Sequence, residues 1–124
     1  MARVLVVDDE PAVRGLVEQT MIRFGHDVIT AKDGFDALTK LSLGRIDLVI
    51  SDMVMPEMDG VKLIGHIQER YPKVKIIAIS GGGAHHTPQD CLELAVRAGA
   101  VKTLMKPFML SELSSITQEL LGAT

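Results

Sequence analysis

Val4-Leu5-Val6-Val7-Asp8-Asp9-Glu10-Pro11 passes from four apolar residues to three acids and a proline within one short stretch. An apolar run without alternation is the mark of a strand buried on both faces, as in a parallel sheet covered by helices. The acids end that strand, and Pro11 suits the first turn of a following helix, where no backbone donor is lost. The next apolar residues, Val13, Leu16, Val17, Met21 and Phe24, recur at helical spacing and supply a stripe to press onto the sheet.

The same change of period repeats along the chain. Leu48 to Ile50 and Ile76 to Ile79 are further continuous apolar runs, whereas Asp27 to Ala31 and Val101 to Met105 mix polar and apolar residues and read as edge strands. Phe35, Leu38 and Leu41 follow Asp33-Gly34 at helical spacing. Val61, Ile64 and Ile67 follow Asp59, a residue that suits an N-cap. Leu92, Ala95 and Val96 lead to Gly99, a helix stop. Leu110, Leu113, Ile116, Leu120 and Leu121 form a last helical stripe, with Ser111 near its cap. Five strand–helix pairs predict an α/β fold, a (βα)5 flavodoxin-like doubly wound parallel sheet in the order 2-1-3-4-5. Residues 1–124 are expected to form one domain.

Composition agrees with a globular core: 47% of the 124 residues are hydrophobic and 23% charged. No apolar run approaches the ~20 residues that cross a bilayer. Thirteen basic against sixteen acidic residues leave a net charge of −3, and the aromatics are only Phe24, Phe35, Tyr71 and Phe108. Neither a basic patch nor a stacking platform for nucleic acid is visible. The single cysteine, Cys91, excludes an internal disulfide and suits a reducing, cytoplasmic setting. It reads as a core thiol, and the seven methionines as core filling. The expected partners are proteins or small molecules, with no nucleic acid and no membrane.

Sites in such sheets gather at the carboxyl ends of the strands. There the sequence places Asp8-Asp9 after strand 1, Ser51-Asp52 after strand 3, Ser80 after strand 4 and Lys106-Pro107 after strand 5. Three close carboxylates repel one another unless a cation neutralises them, and oxygen ligands suit Mg²⁺. A carboxylate in that setting can attack a phosphoryl group, and Asp52 is the best nucleophile because it stands alone at a central strand end. Lys106 could pair with one phosphoryl oxygen and Ser80 could hydrogen-bond another. Taken singly, each is ordinary: Asp8-Asp9 a helix cap, Asp52 a turn aspartate, Lys106 a solvated charge. Gly81-Gly82-Gly83 lacks the lysine and hydroxyl of a P-loop and reads as a flexible connection. His85-His86 has no acidic or cysteine partner nearby in sequence and reads as solvated loop.

The segments VLVVDDEP, DLVISDMVMPEMDG, IIAIS and LMKPF, in this order, resemble the receiver (CheY-like) domain of bacterial two-component response regulators. The resemblance covers essentially the whole chain. It implies that Asp52 accepts a phosphoryl group from a phosphohistidine on a sensor histidine kinase or histidine phosphotransfer protein. It implies Mg²⁺ held directly by Asp9, Asp52 and the backbone carbonyl of Val54, with Asp8 acting through bound water. Ser80 matches the switch hydroxyl, Lys106 the family's lysine, and a cis bond would precede Pro107. The downstream target is expected on the face of helix 4, strand 5 and helix 5. A stand-alone, monomeric receiver without an output domain is the expectation, and a phosphoryl acceptor in place of a turnover enzyme. Two departures stand out. Thr103 occupies the position where the family often has Tyr or Phe, and Val54 replaces a polar group that helps orient attacking water, which implies slow autodephosphorylation. The competing readings are an interaction module independent of phosphorylation and a Mg²⁺-dependent phosphohydrolase. Against the hydrolase, the acid/base position two residues after the nucleophile is Val54.

Overall fold

Five parallel strands, in the order β2-β1-β3-β4-β5, form the single sheet of the computed structural model, which describes residues 2–55, 57–81 and 88–122. The elements alternate along the chain: β1 (Arg3–Val7), α1 (Pro11–Arg23), β2 (Asp27–Ala31), α2 (Gly34–Leu43), β3 (Leu48–Asp52), α3 (Gly60–Arg70), β4 (Lys75–Ser80), α4 (Pro88–Ala98), β5 (Lys102–Met105) and α5 (Leu110–Leu121). The predicted order and edge strands are the observed ones.

Successive strand residues face opposite sides, so each continuous apolar run serves two cores at once. Leu5, Val7, Val49, Ile76 and Ala78 pack with Ala37 and Leu41 of α2, Leu63, Ile64 and Ile67 of α3, and Cys91, Leu92 and Ala95 of α4. Val4, Val6, Leu48, Ile50, Ile77 and Ile79 pack on the other face with Val17 and Met21 of α1 and Leu113 of α5. Full burial of one such side chain stabilises the fold by about 1.5–3 kcal/mol.

Local signals start and stop the helices. The Asp33 carboxylate accepts the Asp36 N–H at 2.8 Å, and that of Asp59 accepts the Lys62 N–H at 2.9 Å, each satisfying an orphan donor. Gly99 follows α4 at φ +134°, a backbone conformation that penalises other residues. At the start of α5, Ser111 lies near the cap, as expected, without forming it. Met109 is the N-cap, and the Glu112 carboxylate accepts the Met109 N–H at 3.0 Å, so Ser111 lies within the helix. The apolar stripes are narrower than their spacing suggests. Leu16, Phe24, Phe35, Val96 and Leu110 all retain exposed surface. β5 begins at Lys102, one residue later than expected. β3 and β4 run on through Asp52 and Ser80, which carries the ladder to the rim where the polar residues stand.

Candidate functional site

Register determines which polar residues meet at that rim. Asp52 pairs with Ile79 in the β3–β4 ladder, and Ser80 pairs with Met105 in β4–β5. The ladder continues past the strand ends, with the Met53 N–H on the Ile79 carbonyl at 2.9 Å and the Lys106 N–H on the Ser80 carbonyl at 2.9 Å. Lys106 is thereby held beside β4 at a fixed height above the sheet. Its stem passes Gly81, where an added Cβ would lie 3.4 Å from the Cβ of Lys106. The Lys106–Pro107 bond is cis, as the resemblance implies.

The Lys106 Nζ is shared among three carboxylates: Asp52 Oδ2 at 3.4 Å, Asp8 Oδ2 at 3.6 Å and Glu10 Oε1 at 3.8 Å. Asp8 and Asp52 are 3% and 4% exposed, unusual burial for carboxylates. Asp52 Oδ1 accepts the Val54 N–H at 3.4 Å, and Asp8 Oδ1 accepts the Glu10 N–H at 2.9 Å. Arg14 donates to the Asp8 backbone carbonyl at 2.8 Å, tying the first turn of α1 to the strand end.

Burial sets the electrostatics. It pushes the Asp52 carboxyl above its ordinary pKa, and Lys106 with the Val54 and Met53 N–H groups offsets this only in part. Asp8 is likewise raised by burial, opposed by the Glu10 N–H and reinforced by the nearby Asp52 charge. Burial of Lys106 works against its charge, yet Asp52, Asp8 and Glu10 outweigh it and hold the ammonium above its usual range.

Among the described residues, oxygens of Asp8, Glu10 and Asp52 lie within 4.8 Å of one another. Asp9 is exposed and stands outside that group, and Glu10 takes a place that the motif reading did not give it. The signal lies in strand geometry: Glu10 has extended backbone (φ −88°, ψ 113°), and side chains two residues apart in an extended segment share a side. Ser80 is fully buried at the end of β4, and Val54 is half exposed beside Asp52. Thr103 lines an open groove of about 630 Å³ between α4 and β5, with Leu92, Val96 and Met105. Cys91 is buried as a core thiol. Gly82, Gly83, His85 and His86 lie outside the described residues.

Three carboxylates against one ammonium leave a deficit of two positive charges in a half-buried rim. An all-oxygen donor set with that deficit fits a hard divalent cation, as the Mg²⁺ reading requires.

Comparison with known proteins agrees. A family model described as "Response regulator receiver domain" matches residues 4–118. The chain belongs to the response regulator receiver domain family. It is 36% identical over 125 residues to the DNA-binding transcriptional regulator NtrC of Azospirillum brasilense, covering 98% of this chain and 24% of that protein. It is 37% identical over 107 residues to the sensor histidine kinase RcsC of Escherichia coli, covering 86% of this chain and 11% of the kinase. The receiver thus spans about a quarter or less of these curated relatives. Among solved structures it resembles chemotaxis protein CheY4 of Vibrio cholerae, at TM-score 0.86 and 31% identity over 97% of this chain and 98% of that one. It also resembles the Thermotoga maritima response regulator TrrA in complex with Mg(2+)-BeF, at TM-score 0.83 and 34% identity over 97% and 99%. No described helix of this receiver is long and apolar enough to cross a membrane.

Proposed function

We propose that this receiver accepts a phosphoryl group on Asp52 and converts that event into a change in protein binding. The observation that carries the reading is the buried Asp52 carboxylate held 3.4 Å from Lys106 within a group of acids. The donor is a phosphohistidine of a sensor histidine kinase or a histidine phosphotransfer protein. An Asp52 oxygen forms the O–P bond while the donor's P–N bond breaks and its electron pair returns to the imidazole. Asp52 and the Val54 carbonyl would hold Mg²⁺, with Asp8 acting through bound water; Asp9, which stands outside the acidic group while Glu10 lies within it, would have to turn toward Asp52 to be the direct ligand the resemblance implies. The bound ion would supply positive charge to the transferring oxygens.

The chain's own groups do the rest. Lys106, 3.4 Å from Asp52, pairs with a phosphoryl oxygen, and the Ser80 hydroxyl bonds another. Both contacts exist only with the phosphoryl group, so they favour one of two arrangements of the rim and shift the population toward it. The face of α4, β5 and α5, on which the groove between α4 and β5 lies, is the one offered to the downstream target. The protein receives a group and gives it up again; it is not a turnover enzyme on a separate substrate. A monomer in the cytoplasm suits the buried, unpaired thiol.

Intact-protein mass after incubation with acetyl phosphate tests the proposal. One added phosphoryl group is expected, dependent on Mg²⁺ and absent in Asp52→Asn. No gain in mass from either acetyl phosphate or a phosphorylated histidine kinase would sink it.

A further inference from the structure

The end of the sheet opposite Asp52 carries two adjoining hollows that the phosphoryl chemistry does not use. One, of about 310 Å³, lies between the end of α2 and the turn from α3 to β4, walled by Leu41, Ile46, Tyr71, Pro72 and Val74. The other, of about 490 Å³, opens beside the starts of β1 and β4 and carries Arg45, Lys73 and Lys75. Arg45, Ile46 and Lys73 belong to both, so the apolar hollow runs directly into the cationic one.

The charges there are incompletely answered. Asp47 is the one acid on the described walls, and its Oδ2 already accepts the Arg3 N–H at 2.9 Å and Arg45 Nη2 at 3.3 Å. Lys75 donates to the uncharged carbonyl of Leu120. Lys73 forms no ion pair among the described residues. Among the described residues, the Lys73 and Lys75 ammonium groups therefore have no carboxylate partner, on a chain whose net charge is −3. Leu43, next in sequence to Gly44 of the apolar hollow, is 76% exposed.

We propose that this double hollow docks an acidic peptide segment of a partner protein. One bulky apolar side chain of the segment fills the hollow beside Tyr71, and flanking carboxylates meet Lys73 and Lys75. An uncharged ligand would leave the lysines unanswered, and a purely acidic one would leave the Tyr71 hollow wet. The apolar anchor carries most of the affinity in such an arrangement, while exposed charge pairs set specificity and encounter rate. The surface is separate from Asp52 and from the groove between α4 and β5, so a partner held here leaves both free.

The receiver has one tyrosine and no tryptophan, so its intrinsic emission reports on this hollow. The probe is the capped peptide Gly-Asp-Glu-Leu-Phe-Glu-Asp-Gly, titrated against the full chain with amide NMR in parallel. Expected are a saturable change in tyrosine emission and amide shifts confined to the walls of the two hollows, residues 41–47 and 71–75 with 2, 26 and 120–122. Replacing Leu-Phe by Ser-Ser in the probe, or making Lys73→Glu in the receiver, weakens binding by about tenfold or more. Lys73→Glu melts at the parent's temperature, and Asp52→Asn binds the probe as the parent does. The proposal is overturned by no saturable response, by shifts elsewhere, by equal binding of a probe with Lys in place of its acids, or by an unchanged affinity in Lys73→Glu. Binding of phosphatidylglycerol vesicles without binding of the peptide overturns it as well.

Discussion

Lys106 Nζ stands 3.4 Å from Asp52 Oδ2 although 54 residues separate the two in sequence. The contact is built by the β3–β4–β5 ladder, which holds two strand ends side by side and needs no loop to bring the groups together. It is also the sole cation that the described rim sets against Asp8, Glu10 and Asp52, and several measurable consequences follow from that economy.

Replacing Lys106 by Met removes the cation and leaves buried carboxylates facing one another. In EDTA at pH 7, Lys106→Met is expected to lose about 1–3 kcal/mol, below the cost of breaking a fully buried pair because the site is half open. Urea denaturation of both proteins measures it, and the loss should shrink as pH falls and the acids take up protons.

The folded pKa values of Asp8 and Asp52 lie above their unfolded values. Each acid therefore binds its proton more tightly in the folded state, and stability rises as pH falls from neutral through the folded pKa toward the unfolded one. Above the folded pKa the penalty is complete. Asp52→Asn is thus expected to raise the melting temperature by a few degrees at pH 7 in EDTA and to flatten the dependence on pH. A melting series over pH 4–8 for the two proteins shows whether the sign holds.

Mg²⁺ relieves the same repulsion. At ten times its dissociation constant it should stabilise the parent by about 1.4 kcal/mol, seen as an upward shift in melting temperature. Asp52→Asn should lose most of that shift. Calcium-free titration calorimetry gives the affinities directly and separates weaker binding from altered folding.

Gly60 begins α3 directly behind the phosphoacceptor. A Cβ there would lie 2.6 Å from Met53 Cα and 2.8 Å from the Asp52 carbonyl oxygen, both backbone atoms that cannot swing aside. Gly60→Ala should cost about 1–3 kcal/mol. It should also slow phosphoryl acceptance from acetyl phosphate, because the carbonyl that moves belongs to Asp52. Gly65→Ala, on the same helix with open space at its Cβ, is the control and should be neutral or slightly stabilising.

Val54 presents an apolar, half-exposed side chain at the mouth of the site. It can neither accept a proton from attacking water nor orient it. The phosphorylated protein is expected to decay slowly, and Val54→Asn to decay several-fold faster, as followed by intact mass against time. A half-life of seconds for the parent contradicts this reading.

Much of this molecule is written in residue type and period. Uninterrupted runs such as Val4 to Val7 and Ile76 to Ile79 require burial on both faces, and helical stripes between them require crossovers, so a parallel sheet is nearly forced. Polar residues at the end of every run then fall on one rim, which is why Asp8, Asp52, Ser80 and Lys106 were legible as a set. The helix starts at Asp33 and Asp59 were legible for the same reason: a cap acts within three residues of its own position.

What the sequence could not supply depends on direction and on contact between distant segments. Which of Asp9 and Glu10 turns toward Asp52 is a matter of one backbone step, since reversing the side reverses the partner. The burial that raises the Asp8 and Asp52 pKa values exists only once the strands and helices have packed. The double hollow at the opposite end joins residues near positions 45 and 73 that share no local pattern. Periodicity records which face a residue prefers. Distances, unanswered charges and open space arise only when those faces meet.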